Sequence, residues 1–550
     1  MPLKVLTALD HAKTQWFHFK AIVIAGMGTF TDAYDLFCII PVSKLIGRIY
    51  YSDEYDKSHG GMMPQAIVST MAVIALVGMV IGQLTFGTLG DRIGRRRVYG
   101  FALVLMVMSS IQCGFSICKT KKCVLTSLCF FRFLLGIAIG GDYPLSATIM
   151  SEFSNKKTRG AFIAAVFSMQ GCGILAGAGV TMAVTSAFNL ATKSSDRENR
   201  DTPESADLAW RLILMIGAIP AALTFYWRMS MPETARYTAL IQKDVRKATD
   251  DMRDLGDVDL PTIDENSELQ VQQQMTLVPP PPPYGLFSKQ FLRDHGRHLF
   301  ACAAAWLIVD IPFYSSTLFQ SHIYNLKMEN YNAFEEAYQV AKFQAIFAVC
   351  WTIPGYWATV YFIDSFGRRK LQMLGFFFMA VFLFALAGPY DKYWHNHVHG
   401  WLFIVLYGFT FFFSNFGPNT TTFIVPAELF PARLRSTCHG ISGAAGKVGA
   451  IIGTLGFLWA SQDKDRDKKK GWKPGIGMMN SLVILGGICV LGLGITYFFT
   501  PETKGRSLET NESEESQPRE IEDDQMHEEI LVLEGSTPSP ISVVHPLWWR

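Results

Sequence analysis

Ionisable residues lie inside long apolar stretches of this sequence, where charge is costly. Asp32 and Asp35 interrupt the first stretch, three residues apart and therefore on one face of a helix. Arg132 opens the fourth stretch, and Asp142 follows its paired glycines. An ionisable side chain within a hydrocarbon-length segment predicts a functional site. An arginine near several carboxylates can hold one ionised while another exchanges a proton, and the sequence leaves open which aspartate pairs with Arg132.

A second set of polar residues follows one face of the seventh apolar stretch. Trp306, Asp310 and Tyr314 are spaced four residues apart, so successive side chains turn by only about 40° around a helix. Two aromatic residues alone would be core packing, but a buried aspartate between them needs partners. The tenth stretch adds Asn419 in the segment FGPNTTTF, whose Gly-Pro pair is expected to break the helix and free backbone groups. These residues predict a binding site for a polar solute.

The elements that carry these residues are membrane spans. The chain has 550 residues, of which 49% are hydrophobic and only 17% are charged, against roughly 25% charged in a soluble domain. Segments of the length that crosses a bilayer recur along it. They lie at about 18–42, 63–87, 97–117, 124–149, 160–185, 208–229, 297–320, 341–363, 371–388, 399–424, 437–460 and 477–499. The sequence predicts an all-α polytopic membrane protein with twelve transmembrane helices.

The two halves of the chain repeat three motifs in the same order. GDRIGRR (90–96) returns as IDSFGRR (363–369), SEFSNKKTRG (151–160) as AELFPARLRS (427–436), and PETARY (232–237) as PETKGR (501–506). Their offsets of 273, 276 and 269 residues are nearly equal, which predicts two pseudo-symmetric six-helix halves with substrate held between them. We expect an N-terminal half over 1–230, a linker loop with a proline run over 231–296, a C-terminal half over 297–500 and an acidic, disordered tail over 501–550.

The first repeated motif, within GTLGDRIGRRR at 87–97, resembles the signature loop of the major facilitator superfamily between its second and third spans. Asp91 can accept hydrogen bonds from a helix N-terminus or a basic group, while Arg92 and Arg95 pair across the half. These contacts would lock one side of the protein. A solvated loop would carry similar charges, but two copies at matching offsets favour a gate.

Charged residues of the second motif are expected to join this gate. Glu152 is expected to pair with Arg159, and Glu428 is expected to pair with Arg435. The predicted gating residues are Asp91, Arg92, Arg95, Glu152, Arg159, Asp364, Arg368, Glu428 and Arg435.

A longer match extends from Gly140 to Gly171, GGDYPLSATIMSEFSNKKTRGAFIAAVFSMQG. This stretch resembles the signature of the plant high-affinity phosphate:proton symporters. The resemblance implies inorganic phosphate and protons as cargo, the plasma membrane as location, and two cytoplasmic termini. It matches the family's phosphate-contacting positions to Tyr143, Gln170, Trp306, Asp310, Tyr314 and Asn419, with Lys447 as a further counterpart. It also implies proton coupling by Asp32, Asp35, Arg132, Asp142 and Asp310.

The chemistry of these residues suits dihydrogen phosphate. That anion has hydroxyl donors as well as acceptors, so tyrosine, tryptophan and amide side chains can bind it. Ionised Asp310 would repel the anion, whereas protonated Asp310 could donate to it. Proton binding from the acidic outer side would admit phosphate, and proton loss to the cytoplasm would expel it. Arsenate, which is nearly isosteric, should be carried as well.

Two alternatives remain open on the sequence. One is a porter of the same fold for a sugar, an organic anion or a cation. The other is a phosphate receptor with little flux, whose tail residues Ser507, Thr510, Ser513 and Ser516 would meet kinases or trafficking factors. An enzyme is not expected, because the sequence has no GxxxxGK[ST] nucleotide loop and no metal-ligand spacing. No cofactor is expected, and a net charge of +2 without a basic tract argues against nucleic acid as a partner.

Overall fold

Twelve membrane-length helical stretches form the protein in its computed structural model. The structure describes residue 10 and residues 16–51, 63–116, 120–193, 204–244, 246–249, 285–325, 332–394, 400–461 and 475–508. The prediction of twelve spans in an all-α protein is confirmed, and no strand occurs in the described ranges. The proline run of the expected linker and the tail from residue 509 lie outside the described residues.

The first six spans comprise seven helices. These are α1 (Trp16–Tyr50), α2 (Gln65–Ile93), α3 (Arg95–Gly114), α4 (Lys121–Phe153), α5 (Arg159–Lys193), α6 (Ser205–Ile216) and α7 (Ala218–Ser230). The sixth span is divided at Gly217 into α6 and α7.

The last six spans comprise eight helices. These are α8 (Lys289–Asn325), α9 (Ala333–Phe347), α10 (Ile353–Phe366), α11 (Arg368–Ala387), α12 (Trp401–Asn415), α13 (Pro418–Leu429), α14 (Arg435–Ala460) and α15 (Met478–Phe499). A π-helical turn, Ala348–Thr352, joins α9 to α10 in the eighth span. Helix α8 begins at Lys289 rather than near residue 297, because its charged first turns continue the helix beyond the apolar part.

The repeated GRR motifs form matching turns. Gly94 joins α2 to α3 with φ 114°, and Gly367 joins α10 to α11 with φ 91°. Only glycine adopts such positive φ values without strain, which explains why both motifs carry it at this position. We call the end of the bundle that holds these two turns the GRR face, and the other end the opposite face.

The tenth span breaks where the Gly-Pro pair predicts a break. Helix α12 ends at Asn415, and α13 begins at Pro418. A side chain at Gly417 would meet the Cα of Gly375 at 2.6 Å, so glycine lets α11 pass close by. The carbonyl oxygen of Asn415, left free by the break, accepts hydrogen bonds from Thr359 and Thr420 at 2.8 and 2.7 Å. The break thereby fixes the first turn of α13, which carries Asn419.

Candidate functional site

A buried ion pair lies at the centre of the C-terminal half. The Nζ of Lys447 is 3.1 Å from the Oδ2 of Asp310 and donates to the hydroxyl of Tyr314 at 3.2 Å. Asp310 and Tyr314 come from α8, and Lys447 comes from α14. The two helices pack closely because Gly449 has no side chain, and an added Cβ there would clash with the Leu307 carbonyl oxygen. The predicted aspartate thus finds its partner in the predicted lysine.

Trp306 closes one end of the same helix face. Its side chain is almost completely buried. Its ring packs edge to face against the rings of His439 and Phe423, with distances between ring centres of 5.4 and 6.4 Å. The Nε2 of His439 is 2.9 Å from the Phe423 carbonyl oxygen. The Trp306 ring is therefore held in one orientation beside the charged pair.

The N-terminal half adds Tyr143 and Gln170 to this centre. The Nζ of Lys447 lies 5.3 Å from the centre of the Tyr143 ring. The Oε1 of Gln170 accepts a hydrogen bond from the Tyr356 hydroxyl at 2.9 Å, and that hydroxyl accepts one from the Nδ2 of Asn419 at 3.0 Å. Side chains of both halves therefore meet in one buried polar cluster. Tyr356 was missed by the sequence reasoning, because nothing sets it apart from other tyrosines of an apolar segment.

The two aspartates of the first span have different neighbours. Both oxygens of Asp32 are buried and form no ion pair in the described part of the chain, with the Tyr143 side chain beside them. Asp35 accepts a hydrogen bond from the Ser110 hydroxyl at 3.3 Å. Arg132 donates to the backbone carbonyl oxygen of Asp35 at 3.4 Å. Arg132 thus lies against Asp35 rather than Asp32, but through the main chain and not as an ion pair.

Asp142 has a partner that the sequence reasoning missed. The Nη1 of Arg228, in α7, is 2.9 Å from the Oδ1 of Asp142, and both side chains are fully buried. The guanidinium also stacks over the Tyr99 ring at 3.6 Å. Gly28 makes room for the carboxylate, since an added Cβ there would clash with the Oδ2 of Asp142. Arg228 lies near the end of its apolar segment, where an arginine ordinarily reaches water, so no local pattern marked it as a buried partner.

On the GRR face, Asp91 joins the two halves. Its carboxylate accepts hydrogen bonds from the backbone N–H groups of Ser436 and Thr437 at 3.2 and 2.7 Å, in the first turn of α14. A carboxylate at a helix N-terminus is stabilised by the helix dipole and by the unpaired N–H groups. Arg95 holds the same carboxylate at 3.2 Å. The predicted gate residue Arg92 is an exception, because its side chain is exposed and makes no ion pair in the described structure.

The predicted pair of Glu152 with Arg159 is wrong. The Oε1 of Glu152 lies 3.3 Å from Arg95 and 2.8 Å from Arg435, which belongs to the other half. Arg159 instead forms an ion pair with Asp10 at 2.9 Å. Sequence proximity suggested a partner in the same loop, but the carboxylate points across the boundary between the halves.

The second copy of the network mirrors the first. Arg368 lies 2.8 Å from Asp364 and 2.6 Å from Glu428. Asp364 accepts a hydrogen bond from the backbone N–H of Ala161, at the start of α5, at 2.8 Å. The predicted pair of Glu428 with Arg435 is therefore wrong, because Glu428 pairs with Arg368. Each half thus places an aspartate on the N-terminus of a helix in the other half.

The third repeated motif supports both GRR turns. Glu233 accepts from the backbone N–H of Arg96 at 3.2 Å, and Glu502 accepts from that of Arg368 at 3.0 Å. Glu233 lies outside the membrane-spanning segments. Burial raises the pKa of its carboxyl group above the ordinary value, although the backbone N–H of Thr234 opposes this shift. The PET motifs therefore brace the turns that carry Arg95 and Arg368.

A separate set of contacts joins the halves at the opposite face. The Nη2 of Arg48, in α1, is 2.8 Å from the Oε2 of Glu336, and Lys44 is 3.7 Å from the other oxygen of that carboxylate. Asn332 caps α9 and donates to the side chain of Asn189 at 3.0 Å. These residues lie at the ends of apolar segments, where charge is ordinary, so the sequence did not single them out.

Two six-helix halves that meet at both faces around a buried polar cluster define a transporter of the major facilitator superfamily. Residues 20–514 match the family described as Sugar (and other) transporter. Among solved structures, the proton:xylose symporter XylE bound to 6-bromo-6-deoxy-D-glucose is similar with a TM-score of 0.67, covering 90% of this chain and 98% of that one. Its sequence is 18% identical, so the likeness concerns the fold.

Curated relatives are much more similar in sequence. A probable inorganic phosphate transporter 1-10 of Oryza sativa subsp. japonica is 64% identical over 94% of this chain and 93% of its own length. A probable inorganic phosphate transporter 1-8 of Arabidopsis thaliana is 56% identical over 95% of this chain and 97% of its own length. The chain belongs to the plant inorganic phosphate transporters. It is a transporter and not an enzyme, which confirms the prediction from the sequence.

Proposed function

We propose that the protein carries dihydrogen phosphate together with protons across the plasma membrane, by alternating access of its two halves. The observation that carries this proposal is the buried pair of Lys447 with Asp310, surrounded by tyrosine and amide groups from both halves. A buried cation beside neutral donors suits a monovalent oxyanion. The names of the relatives support the same cargo.

Charge balance in this centre couples the two substrates. Ionised Asp310 neutralises Lys447 when the site holds neither substrate. When Asp310 is protonated, a bound dihydrogen phosphate neutralises Lys447 instead. A proton alone would leave the pair with a net charge of +1, and phosphate alone would leave −1. Because an unpaired buried charge costs several kcal/mol, only the empty and the fully loaded forms close easily.

The remaining polar residues of the centre have roles that follow from their contacts. Tyr143, Gln170, Trp306, Tyr314 and Asn419 would contact phosphate, since they surround the charged pair. Protons would reach Asp310 through Asp32 and Asp35 of the first span, together with Arg132 and Asp142 of the fourth. Within that set, Asp32 can exchange a proton because no ion pair holds it in the described part of the chain, whereas Asp142 is paired with Arg228.

The two faces act as gates in this scheme. The GRR face is the cytoplasmic side, with both termini, and the contacts of Asp91, Asp364 and Glu152 open when phosphate is released inward. The pair of Arg48 with Glu336 opens for entry from outside. We propose the boundaries 1–230, 231–296, 297–500 and 501–550 for the two halves, the linker and the tail, except that α8 extends the C-terminal half back to Lys289. Kinases or trafficking factors would act on the C-terminal tail. Arsenate would be transported by the same route as phosphate.

The test is uptake of radiolabelled phosphate into liposomes that contain the purified protein. When the solution outside the liposomes is more acidic than the lumen, the label should accumulate above its external concentration, and a protonophore should abolish the accumulation. Lys447→Gln should lose uptake, while Lys342→Gln, at an exposed position of the same half, should retain it. Binding without uptake would favour a receptor. Absence of both binding and uptake in folded protein would favour a different cargo.

A further inference from the structure

The hydroxyl of Tyr356 links the two halves at the level of the candidate phosphate site. Tyr356 belongs to α10 of the C-terminal half and is fully buried. Its hydroxyl donates to the Oε1 of Gln170, in the N-terminal half, at 2.9 Å and accepts from the Nδ2 of Asn419 at 3.0 Å. The donor and one acceptor position of this hydroxyl are therefore both satisfied by protein groups.

The ring of Tyr356 is seated on one turn of α5 in the other half. It contacts the Phe167 ring edge to face at 5.7 Å. An added Cβ at Gly171 would lie 3.2 Å from its Cδ2, so glycine at that position provides the space. Phe167 and Gly171, which lie before and after Gln170 in α5, therefore accommodate the Tyr356 ring from the opposite half. The contact brings the halves together without involving the charged pair.

We infer that Tyr356 is a positioning residue that closes the centre of the carrier when no phosphate is bound, and that it serves the return of the empty carrier. The inference rests on the proposed function, because only an alternating-access transporter has a return step. Gln170 and Asn419 are both proposed phosphate contacts, and the Tyr356 hydroxyl occupies a hydrogen-bonding position of each. In the loaded carrier phosphate can join the halves, whereas in the empty carrier this bridge does so.

Two transport modes separate this role from phosphate binding. Net uptake into phosphate-free liposomes requires the empty carrier to return after every cycle. Exchange, in which liposomes loaded with unlabelled phosphate take up labelled phosphate, lets the carrier return loaded. Tyr356→Phe keeps the ring and removes only the hydroxyl. We expect it to slow net uptake about tenfold, as for loss of a buried hydrogen-bond link, while exchange keeps its rate and its KM for phosphate does not rise.

A matched control removes another buried hydroxyl. Tyr407→Phe deletes a hydroxyl that bonds to the Ser316 carbonyl oxygen within the C-terminal half, and it should change net uptake and exchange by the same factor. A parallel loss of both modes in Tyr356→Phe, a raised KM in exchange, or no change in either mode would overturn the inference. Absence of phosphate transport by the wild-type protein in both modes would instead overturn the proposed function.

Discussion

Replacing Asp310 with asparagine tests how the charged centre couples protons to phosphate. The new amide would resemble the protonated carboxyl group in shape and charge. The Asp310→Asn variant would therefore bind phosphate without prior protonation at this position. We expect phosphate binding to persist and to become independent of external pH. Concentrative, proton-driven uptake should be lost, because the site can no longer release a proton to the cytoplasm.

The size of the effect follows from the 3.1 Å distance between the Nζ of Lys447 and the Oδ2 of Asp310. At an effective dielectric constant near 20, the attraction across this distance is about 5 kcal/mol. Removing one partner of a buried pair typically costs about 3–5 kcal/mol, because the other charge is left unpaired. Bound phosphate would regain part of this cost by neutralising Lys447. Recovery of only about 1.4 kcal/mol would make phosphate binding tenfold tighter than in the wild type at neutral pH.

A double-mutant cycle supplies the assay. Phosphate binding is measured by calorimetry on the purified wild-type protein, Asp310→Asn, Lys447→Gln and the double variant, alongside liposome uptake for each. Lys447→Gln should weaken binding, and the two changes should be strongly non-additive, since the residues are in contact. Wild-type accumulation by Asp310→Asn would refute the coupling role of this carboxylate. Equal weakening of binding by both single variants would refute the assignment of Lys447 as the counter-charge for phosphate.

Three further predictions concern the contacts around this centre. Gln170→Ala should weaken phosphate binding by about 1–3 kcal/mol, measured by calorimetry, while the melting temperature shows that the protein is folded; unchanged affinity would remove Gln170 from the site. Glu336→Gln breaks the pair with Arg48, so a thiol reagent added outside should label a cysteine introduced between this pair and the centre several-fold faster than in the parent protein; an unchanged rate would show that the pair is not a gate. Arg228→Met leaves Asp142 unpaired and should destabilise the protein by about 3–5 kcal/mol. Adding Asp142→Asn should restore most of the melting temperature, and failure to do so would show that Arg228 acts through other contacts.

Much of the fold could be predicted from the sequence, because the spans and the repeat are local signals. Each span is a run of apolar residues whose length matches the bilayer. The repeated motifs carry glycines at 94 and 367, where the backbone needs positive φ. The ends of the helices were less predictable. Helix α8 extends toward its N-terminus over charged residues from Lys289, which hydropathy alone assigns to the linker.

The residues of the site were predictable where a charge stood out against an apolar background. Asp310 was singled out in this way, and the structure supplies Lys447 as its partner. Contacts across the boundary between the halves were not predictable, because they join residues far apart in sequence. Glu152 was therefore expected to pair with a neighbour in its own loop, whereas it pairs with Arg435. Tyr356 also contacts the other half, and nothing in the sequence marks it, because a tyrosine in an apolar segment is usually core packing.

Phosphate and protons cross the membrane together in this scheme, and a pH measurement inside liposomes follows the proton. Liposomes containing the protein are loaded with a pH-sensitive dye, held at equal pH on both sides, and given external phosphate. Inward phosphate movement should acidify the lumen beyond what dihydrogen phosphate alone can release, and Asp310→Asn should abolish the additional acidification while it still binds phosphate. Phosphate entry without additional acidification in the wild-type protein would contradict proton-coupled symport.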